Sequence, residues 1–440
     1  MNFKLNTYKT LWFFTLFLLF AIGSISLNES MAESIWPFIY GADLLIFIWL
    51  LAEYRNNGPA IIVLLFISTY YLAPLPYFLF DIPIVPYKFN VNFESYVNTL
   101  CIMSAYLAAL AGVSSILLDR NKDVRVNPYR NIHTIKMSDS LMYVFWVAIL
   151  LFMFFTFKGE PIVNTSGENN WDLYVQNLQN QSGALEYFFL LMLIGYELST
   201  TKISKVIFWG VTFIYIYFCF TRGFRVQVLE ISIMIAVLKF EKYLTLRNVF
   251  LGSIIGFLVL QAHGAMKMGT GFDDLFAITM NGEMRTNQTE VFYTSNNVIN
   301  PILQDETPAL SRLYSLSIAM LATIIPAGFL PDVWHSTISS HYDTGLPGGG
   351  GGLLAGHYFY WLSYPGVLLA AFLTASLFKI YKNTSKADMY YVCVLLFATS
   401  PRWMVYEPIA LFYRVAIYYL VIRMILKFFI ANKKTVAGLA

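Results

Sequence analysis

Long apolar runs separated by short polar segments dominate this chain and predict helices that cross a membrane. A helix needs roughly 20 apolar residues to cross a hydrocarbon core about 30 Å thick. Twelve runs approach that length: Leu11–Leu27, Trp36–Leu51, Pro59–Phe78, Tyr96–Leu118, Leu141–Phe157, Leu185–Leu198, Val206–Phe220, Phe224–Leu238, Val249–Ala262, Leu353–Phe378, Met389–Thr399 and Ile409–Leu426. The pattern therefore predicts an all-α fold, a polytopic integral membrane protein with about twelve transmembrane helices.

One long polar segment, His263–Gly352, interrupts this pattern between the ninth and tenth runs. It divides the chain into residues 1–262 with nine helices, the loop itself, and residues 353–440 with three helices and a C-terminal tail. Inside the loop, the apolar stretch Leu313–Ile325 covers only 13 residues before Pro326, which is about 20 Å of helix. We expect it to form a short re-entrant or interfacial helix instead of a further crossing.

The basic residues predict which way the chain faces, because cytoplasmic loops carry an excess of Lys and Arg. With the N-terminus inside, 20 of the 29 Lys and Arg residues fall on the inner side of the predicted helices. Both termini are therefore expected to be cytoplasmic, and the large 263–352 loop is expected to face outward.

Composition agrees with a membrane location and argues against one class of partner. Hydrophobic residues make up 58% of the chain and charged residues only 12%, which lies outside the range of soluble domains. The net charge of +3 is small for 440 residues, so we predict no nucleic-acid partner. The three cysteines lie in apolar runs, where packing is their expected role.

Arginines on the outer side are the first candidate chemistry. Inside, Lys outnumbers Arg by 14 to 6, whereas outside Arg outnumbers Lys by 6 to 3. Arg binds phosphate through two parallel charge-assisted hydrogen bonds, so this bias hints at an anionic ligand. Arg222 and Arg225 lie three positions apart at a predicted outer turn, where helical spacing would place them on one face. Pairing with lipid phosphate is the competing interpretation.

Ionisable residues within the apolar runs are the second candidate. Glu230 lies inside the eighth run, and an ionisable group at that depth usually faces the protein interior and has a partner. We expect that partner to be Arg225 or Arg414. Arg414 lies within the last run, seven residues after Glu407, so the two share a helix face. Glu230 and Glu407 are therefore interpreted as intramembrane structural charges.

Histidines and glycines add candidates in and beside the large loop. Four of the five histidines lie there: His263, His335, His341 and His357. A histidine can accept a proton near neutral pH, although a structural role is the alternative for each one. None shows the i, i+4 spacing of a helical zinc site, so we predict no metal. The glycine run Gly345–Gly352 would let a sugar chain or a pyrophosphate approach the backbone closely, or it is a flexible link.

Several short segments near the ends of the predicted helices carry a resemblance to a known family. They are Thr221–Arg225, Ile324–Pro331, the glycine run, Gly356–Tyr358, Tyr364–Val367 and Pro401–Trp403. With the predicted topology, they make most of the chain resemble the O-antigen polymerases of the Wzy type. These proteins are oligosaccharide repeat-unit polymerases of bacterial inner membranes.

The resemblance implies a metal-independent glycosyltransferase without a cofactor. It would join two undecaprenyl-diphosphate-linked oligosaccharides at the periplasmic face of the inner membrane, moving the growing glycan onto a newly flipped repeat unit. Besides these substrates, the resemblance allows membrane lipids and a chain-length regulator (a polysaccharide co-polymerase) as partners. The large loop would then be periplasmic, and the product would be O-antigen or a related surface polysaccharide of lipopolysaccharide biosynthesis.

The family's chemistry assigns expected roles to residues of this chain. Arginines are expected to stabilise the pyrophosphate leaving group. The candidates are Arg222, Arg225, Arg402 and Arg414. The acceptor hydroxyl needs a general base. The candidates, among which the sequence does not choose, are His335, His341, His357, Asp332 and Glu290.

Two other functions remain as alternatives. An O-antigen ligase has a similar topology and transfers the same glycan to lipid A core. A lipid-linked oligosaccharide flippase or another transporter would be expected to show internal repeats and functional charges near the membrane midplane. This chain has no visible repeat and gathers its polar residues in one loop, so transport ranks below both transferases.

Overall fold

A computed structural model gives the fold of the chain. The structure describes residues 2–80, 93–117, 139–158, 184–268, 279–280, 283–284, 287–325, 352–384, 386–405 and 414–426. Within these ranges nearly every residue belongs to a helix. The only sheet in the same ranges is one antiparallel pair of two-residue strands.

The helices follow one another along the chain with short connections. They are α1 (Asn2–Ser26), α2 (Glu29–Glu53), α3 (Gly58–Leu72), α4 (Leu75–Phe80), α5 (Phe93–Leu117), α6 (Asp139–Phe157), α7 (Ala184–Leu198), α8 (Lys202–Thr221), α9 (Arg225–Phe240), α10 (Leu246–Met268), α11 (Asn287–Leu303), α12 (Ala309–Ile324), α13 (Leu354–Asn383), α14 (Ala387–Ala398), α15 (Ser400–Trp403) and α16 (414–426). A 3-10 turn at Glu241–Tyr243 joins α9 to α10. The strands are β1 (Thr279–Met280) and β2 (Glu283–Met284), with Thr279 opposite Met284.

The predicted all-α membrane architecture is confirmed at the level of its helices. A described helix occupies each of the twelve predicted apolar runs, with α16 covering residues 414–426 of the last one. Seven helical segments are long and apolar enough to cross a membrane. Several other runs form shorter apolar helices, such as Ala387–Ala398. The count of twelve crossings therefore stays a prediction.

Helix α5 lies at the centre of the bundle. In its most apolar window 89% of the residues are buried, compared with 28% in α1 and in α2. Small residues recur along α5, among them Ala105, Ala108 and Gly112, and small residues let helix backbones approach closely in a membrane. A Cβ atom on Gly112 would lie only 3.2 Å from the ring of Phe14 in α1. Helices α1, α2 and α13 pack directly on this surface.

Interhelical hydrogen bonds fix how these helices are rotated about α5. The Tyr54 hydroxyl at the end of α2 donates to Ser114 Oγ at 2.8 Å. The hydroxyls of Tyr106 in α5 and Thr374 in α13 lie 3.0 Å apart. Hydrogen bonds of this kind add to van der Waals packing where helices meet inside a bilayer.

Contacts between helix ends agree with the predicted alternation of the chain across the membrane. At the predicted outer side, the Leu354 N–H donates to the Met404 carbonyl oxygen at 2.8 Å. At the predicted inner side, Asn57 Nδ2 donates to the carbonyl oxygen of Phe378 at 3.1 Å. Each contact joins two ends that the alternation places on the same face. Which face is cytoplasmic remains a prediction from the charge distribution.

The tenth predicted span, Leu353–Phe378, is not one continuous helix as expected. Ser363 has φ 55° and ψ −141° inside α13, two residues before Pro365. Proline lacks an N–H and clashes with the preceding turn, so it breaks a helix. The Arg312 guanidinium of α12 donates to the Tyr360 carbonyl oxygen at 3.1 Å and to Ser363 Oγ at 2.9 Å. It therefore supplies donors where the helical hydrogen bonds are interrupted.

The segment 263–352 contributes two helices that pack against the bundle. Helix α12 agrees with the short helix predicted at Leu313–Ile325, although it begins earlier, at Ala309. It leaves large apolar side chains such as Leu310 exposed, and its position relative to the membrane remains a prediction. Helix α11 packs against α3, α5 and α13. This part of the segment therefore belongs to the core of the protein.

Two glycines provide a matched test of the α13 kink. A Cβ at Gly366 would lie 1.9 Å from the Tyr358 carbonyl oxygen, whereas a Cβ at Gly252 would meet nothing within 4 Å. We expect Gly366→Ala to destabilise the protein by at least ~2 kcal/mol, because backbone has to move. Gly252→Ala should raise stability by up to ~1 kcal/mol, because alanine favours helix. Thermal unfolding in detergent micelles measures both, and equal melting temperatures would contradict the kinked geometry.

Candidate functional site

The turn between α8 and α9 carries the first two predicted arginines. Helix α8 ends at Thr221, Arg222 caps it, and α9 begins at Arg225. Gly223 between them has φ 86°, a left-handed conformation that glycine adopts at no steric cost. The prediction that Arg222 and Arg225 share one helix face is therefore wrong, because they belong to two different helices.

Arg222 folds back onto the end of α8. Its guanidinium carbon lies 4.7 Å from the ring centroid of Phe218 and 5.2 Å from that of Phe157 in α6. Arg222 Nη1 donates to Thr221 Oγ1 at 3.2 Å and to the Phe218 carbonyl oxygen at 3.5 Å. The residue is only 7% exposed. These cation–π contacts anchor the turn to α6, whereas the expected contact with pyrophosphate stays a prediction.

Glu230 is fully buried on the face of α9 that packs into the bundle. Helix α9 contacts α8, α14 and α15. Glu230 and Arg402 of α15 both lie within electrostatic range of the hydroxyl of Tyr215, which is buried on α8. The structure thus brings together two predicted charges that are far apart in sequence. Arg225 precedes Glu230 by five residues, about 140° around the helix, so it leaves α9 on a different face.

The beginning of α13 meets α15 beside this cluster. The hydrogen bond from Leu354 to Met404 joins α13 to the residue two positions after Arg402. His357 lies one turn further into α13, where it is fully buried, with its ring centroid 5.9 Å from that of Trp361. Such burial is typical of a packing residue. The role of His357 as general base remains a prediction.

Helix α11, which sequence reasoning missed, positions the beginning of α13. Ser295 Oγ accepts a hydrogen bond from the Leu353 N–H at 2.8 Å. On the neighbouring side, Asn296 Oδ1 accepts from Thr99 Oγ1 of α5 at 2.9 Å and from Asn300 Nδ2 at 2.8 Å. The run of Ser and Asn between apolar residues was the available signal. Its polar composition is typical of a loop, and only buried hydrogen-bond partners make it a core helix.

The remaining predicted site residues are placed less fully. Those that lie outside the described residues are His335, His341, Asp332 and Glu407. The structure describes the backbone of Glu290 in α11 and leaves its side chain aside. Arg225 is half-buried at the first residue of α9, and Arg414 is half-buried at the first described residue of α16. The shared face of Arg414 and Glu407 therefore stays a prediction.

A second charged cluster, at the predicted inner end, also escaped sequence reasoning. Arg423 of α16 is 2% exposed, and it forms ion pairs with Glu197 of α7 and Asp388 of α14. The Tyr419 hydroxyl donates to Glu197 Oε1 at 3.1 Å. Both Glu197 and Arg423 stand near the end of an apolar run, where an interfacial position is the simpler expectation. The network instead joins three helices.

Arg402 and its surroundings are suited to holding an anion. Arg402 is half-buried, whereas Glu230 below it is fully buried. A guanidinium presents N–H groups on more than one edge, so a carboxyl group can attract one side while another binds a phosphate oxygen. The nearby N-terminus of α9 adds a helix dipole that favours negative charge. A pyrophosphate group has the chemistry that this arrangement fits.

Neither metal chemistry nor similarity to known proteins assigns the site. In the described part of the chain, no group of three or more His, Cys, Asp or Glu side chains could hold a metal ion. No family model matches the chain, and neither a curated protein nor a solved structure matches it.

The buried ion pairs of Arg423 make a testable contribution to stability. Arg423→Leu would leave the Glu197 carboxyl group buried without its cation, and removing one partner of a buried pair costs about 3–5 kcal/mol. The double variant Glu197→Leu with Arg423→Leu should be more stable than Arg423→Leu alone, because no uncompensated charge remains. Melting temperatures in detergent micelles measure both effects. A double variant that is no more stable than the single variant would contradict the pairing.

Proposed function

We propose that this protein is a membrane glycosyltransferase that polymerises lipid-diphosphate-linked oligosaccharide repeat units at the outer face of the bacterial inner membrane. One observation carries the proposal. Three segments that resemble O-antigen polymerases, Thr221–Arg225, Gly356–Tyr358 and Pro401–Trp403, meet at one end of the helix bundle, although they are far apart in sequence. The packing of α9 and α13 on α15 brings them together.

The proposed reaction needs a cation at the leaving group and a base at the acceptor. A bond forms between the acceptor hydroxyl oxygen and the anomeric carbon of the donor glycan, while the bond from that carbon to the lipid diphosphate breaks. Arg402 stabilises the negative charge that develops on the diphosphate, with Arg225 and Arg414 as further candidates. Glu230 holds Arg402 in position from below. The general base takes the acceptor's proton.

The base is assigned to a class of residue and not to one position. His335, His341, Asp332 and Glu290 all belong to the segment that leads from α10 to α13. His357 is the candidate that the described structure buries. The bond energy of the diphosphate-linked donor drives the transfer, so the proposal includes no nucleotide, metal or cofactor.

A deletion experiment in the native host tests the function itself. The surface polysaccharide is separated on a gel with this gene deleted and then restored. A ladder that collapses to core carrying a single repeat unit is the expected result. Loss of all repeat-bearing lipid A, with polymer accumulating on its lipid carrier, would instead identify a ligase. An unchanged ladder would remove the protein from glycan assembly.

Substitutions of Arg402 test the site at the level of one residue. Arg402→Ala should lower polymer formation at least ~100-fold, because a preorganised charge at the leaving group is lost. Arg402→Lys should retain part of the activity, because it keeps the charge and loses the bidentate geometry. Glu230→Gln should also lower activity by weakening the hold on Arg402. The measurement is polymer made by membrane vesicles from lipid-linked repeat units.

An exposed arginine provides the matched control for these variants. Arg247 lies in the first turn of α10 and is exposed, so Arg247→Ala should leave polymer length unchanged. The amount of each variant in the membrane is measured in parallel to separate folding from chemistry. Wild-type chain length in Arg402→Ala would refute the role assigned to this residue.

One observation favours transport as the second candidate function. Asp43 is buried near the middle of α2, and functional charges near the midplane are typical of secondary transporters. Transport of a lipid-linked oligosaccharide predicts that deletion traps repeat units at the inner leaflet. Polymerisation predicts that single repeat units reach the outer surface. The location of the repeat units in deleted cells therefore separates the two candidates.

A further inference from the structure

A buried acidic group lies inside the bundle on helices that the proposed site does not use. Asp43 is near the middle of α2 and is 3% exposed. Its Oδ2 atom lies 2.7 Å from Ser104 Oγ of α5. Its Oδ1 atom has no hydrogen-bond partner among the described residues. A carboxyl group with a single contact at this depth requires an account of its charge.

The contacts of Ser104 decide where the hydrogen atoms are. Ser104 Oγ also lies 2.8 Å from the carbonyl oxygen of Leu100, one turn earlier in α5. A serine hydroxyl has one hydrogen, whereas a carboxylate and a carbonyl group are both acceptors. Both distances equal the usual O–H···O separation of about 2.7–2.8 Å. Two full hydrogen bonds therefore require that Asp43 supplies the second hydrogen, as a neutral carboxylic acid that donates to Ser104.

The groups around Asp43 agree with a neutral acid. The titratable side chains that interact with it are Tyr40 of α2, Tyr71 of α3 and Cys101 of α5. Tyrosine and cysteine side chains are ordinarily neutral at pH 7. No basic side chain in the described ranges pairs with Asp43. An unpaired carboxylate is far more costly to bury than a neutral acid.

We propose that Asp43 is a proton-binding site in the interior of the helix bundle. The acid keeps its proton at neutral pH and donates it in a hydrogen bond to Ser104 Oγ, while Ser104 donates to Leu100. Release of this proton would leave a charge between α2 and α5. The packing of α2 on the central helix therefore depends on the bound proton, and this holds whether or not the protein transfers sugars.

Infrared difference spectroscopy tests the proposal on the purified full-length protein. The spectrum of Asp43→Asn is subtracted from that of the wild type at neutral pH. The expected difference is the carbonyl-stretching band of one protonated carboxylic acid, present in the wild type and lost in the variant. A difference consisting of carboxylate-stretching bands would overturn the proposal, because Asp43 would then be ionised.

A second variant tests the hydrogen bond without altering Asp43. Ser104→Ala removes the acceptor of the acid's proton, so the carbonyl band of Asp43 should move to higher frequency. A band at the wild-type frequency would contradict the bond from Asp43 to Ser104. This measurement also decides the matter if Asp43→Asn fails to fold. Neither spectrum depends on a glycan assay, so a failure here is distinct from a failure of the proposed function.

Discussion

The close packing of α1, α2 and α13 on α5 is the constraint on which the other helices depend. Inside a bilayer, lipid tails are as apolar as leucine, so helices associate through van der Waals contact and interhelical hydrogen bonds. Small residues such as Ala108 and Gly112 let the surrounding backbones approach. Buried hydroxyls such as those of Tyr106 and Thr374 then fix the rotation of each helix. With α5 occupied in this way, large apolar side chains of α1 and α2 remain on the outside.

Buried polar groups give the two ends of the bundle different characters. At the predicted inner end, Arg423 is enclosed by Glu197 and Asp388 and joins three helices. At the predicted outer end, Arg402 is half-buried above Glu230, which is fully buried. An enclosed cation with two acidic partners serves packing, whereas a partly open cation remains available to an anionic ligand. This contrast is why we place the proposed chemistry at the outer end.

Helices from the segment 263–352 connect the central packing to the proposed site. Ser295 of α11 holds the N–H of Leu353 at the beginning of α13, and Arg312 of α12 donates to the carbonyl oxygen of Tyr360 at the kink. Both contacts involve the first part of α13, which bonds to α15 next to Arg402. The segment therefore positions one wall of the site in addition to supplying candidate bases.

The sequence by itself determined where the helices lie, because apolar run length and proline placement are local properties. It also indicated Glu230 and Arg402 as functional charges. Only the tertiary structure decided that these two lie together, that His357 is buried, and that the polar helix α11 belongs to the core. The physical reason is that a partner depends on helix rotation and on which distant helix packs alongside. Hydropathy along one chain records neither of these, so the hydrogen bond of Asp43 was also invisible to it.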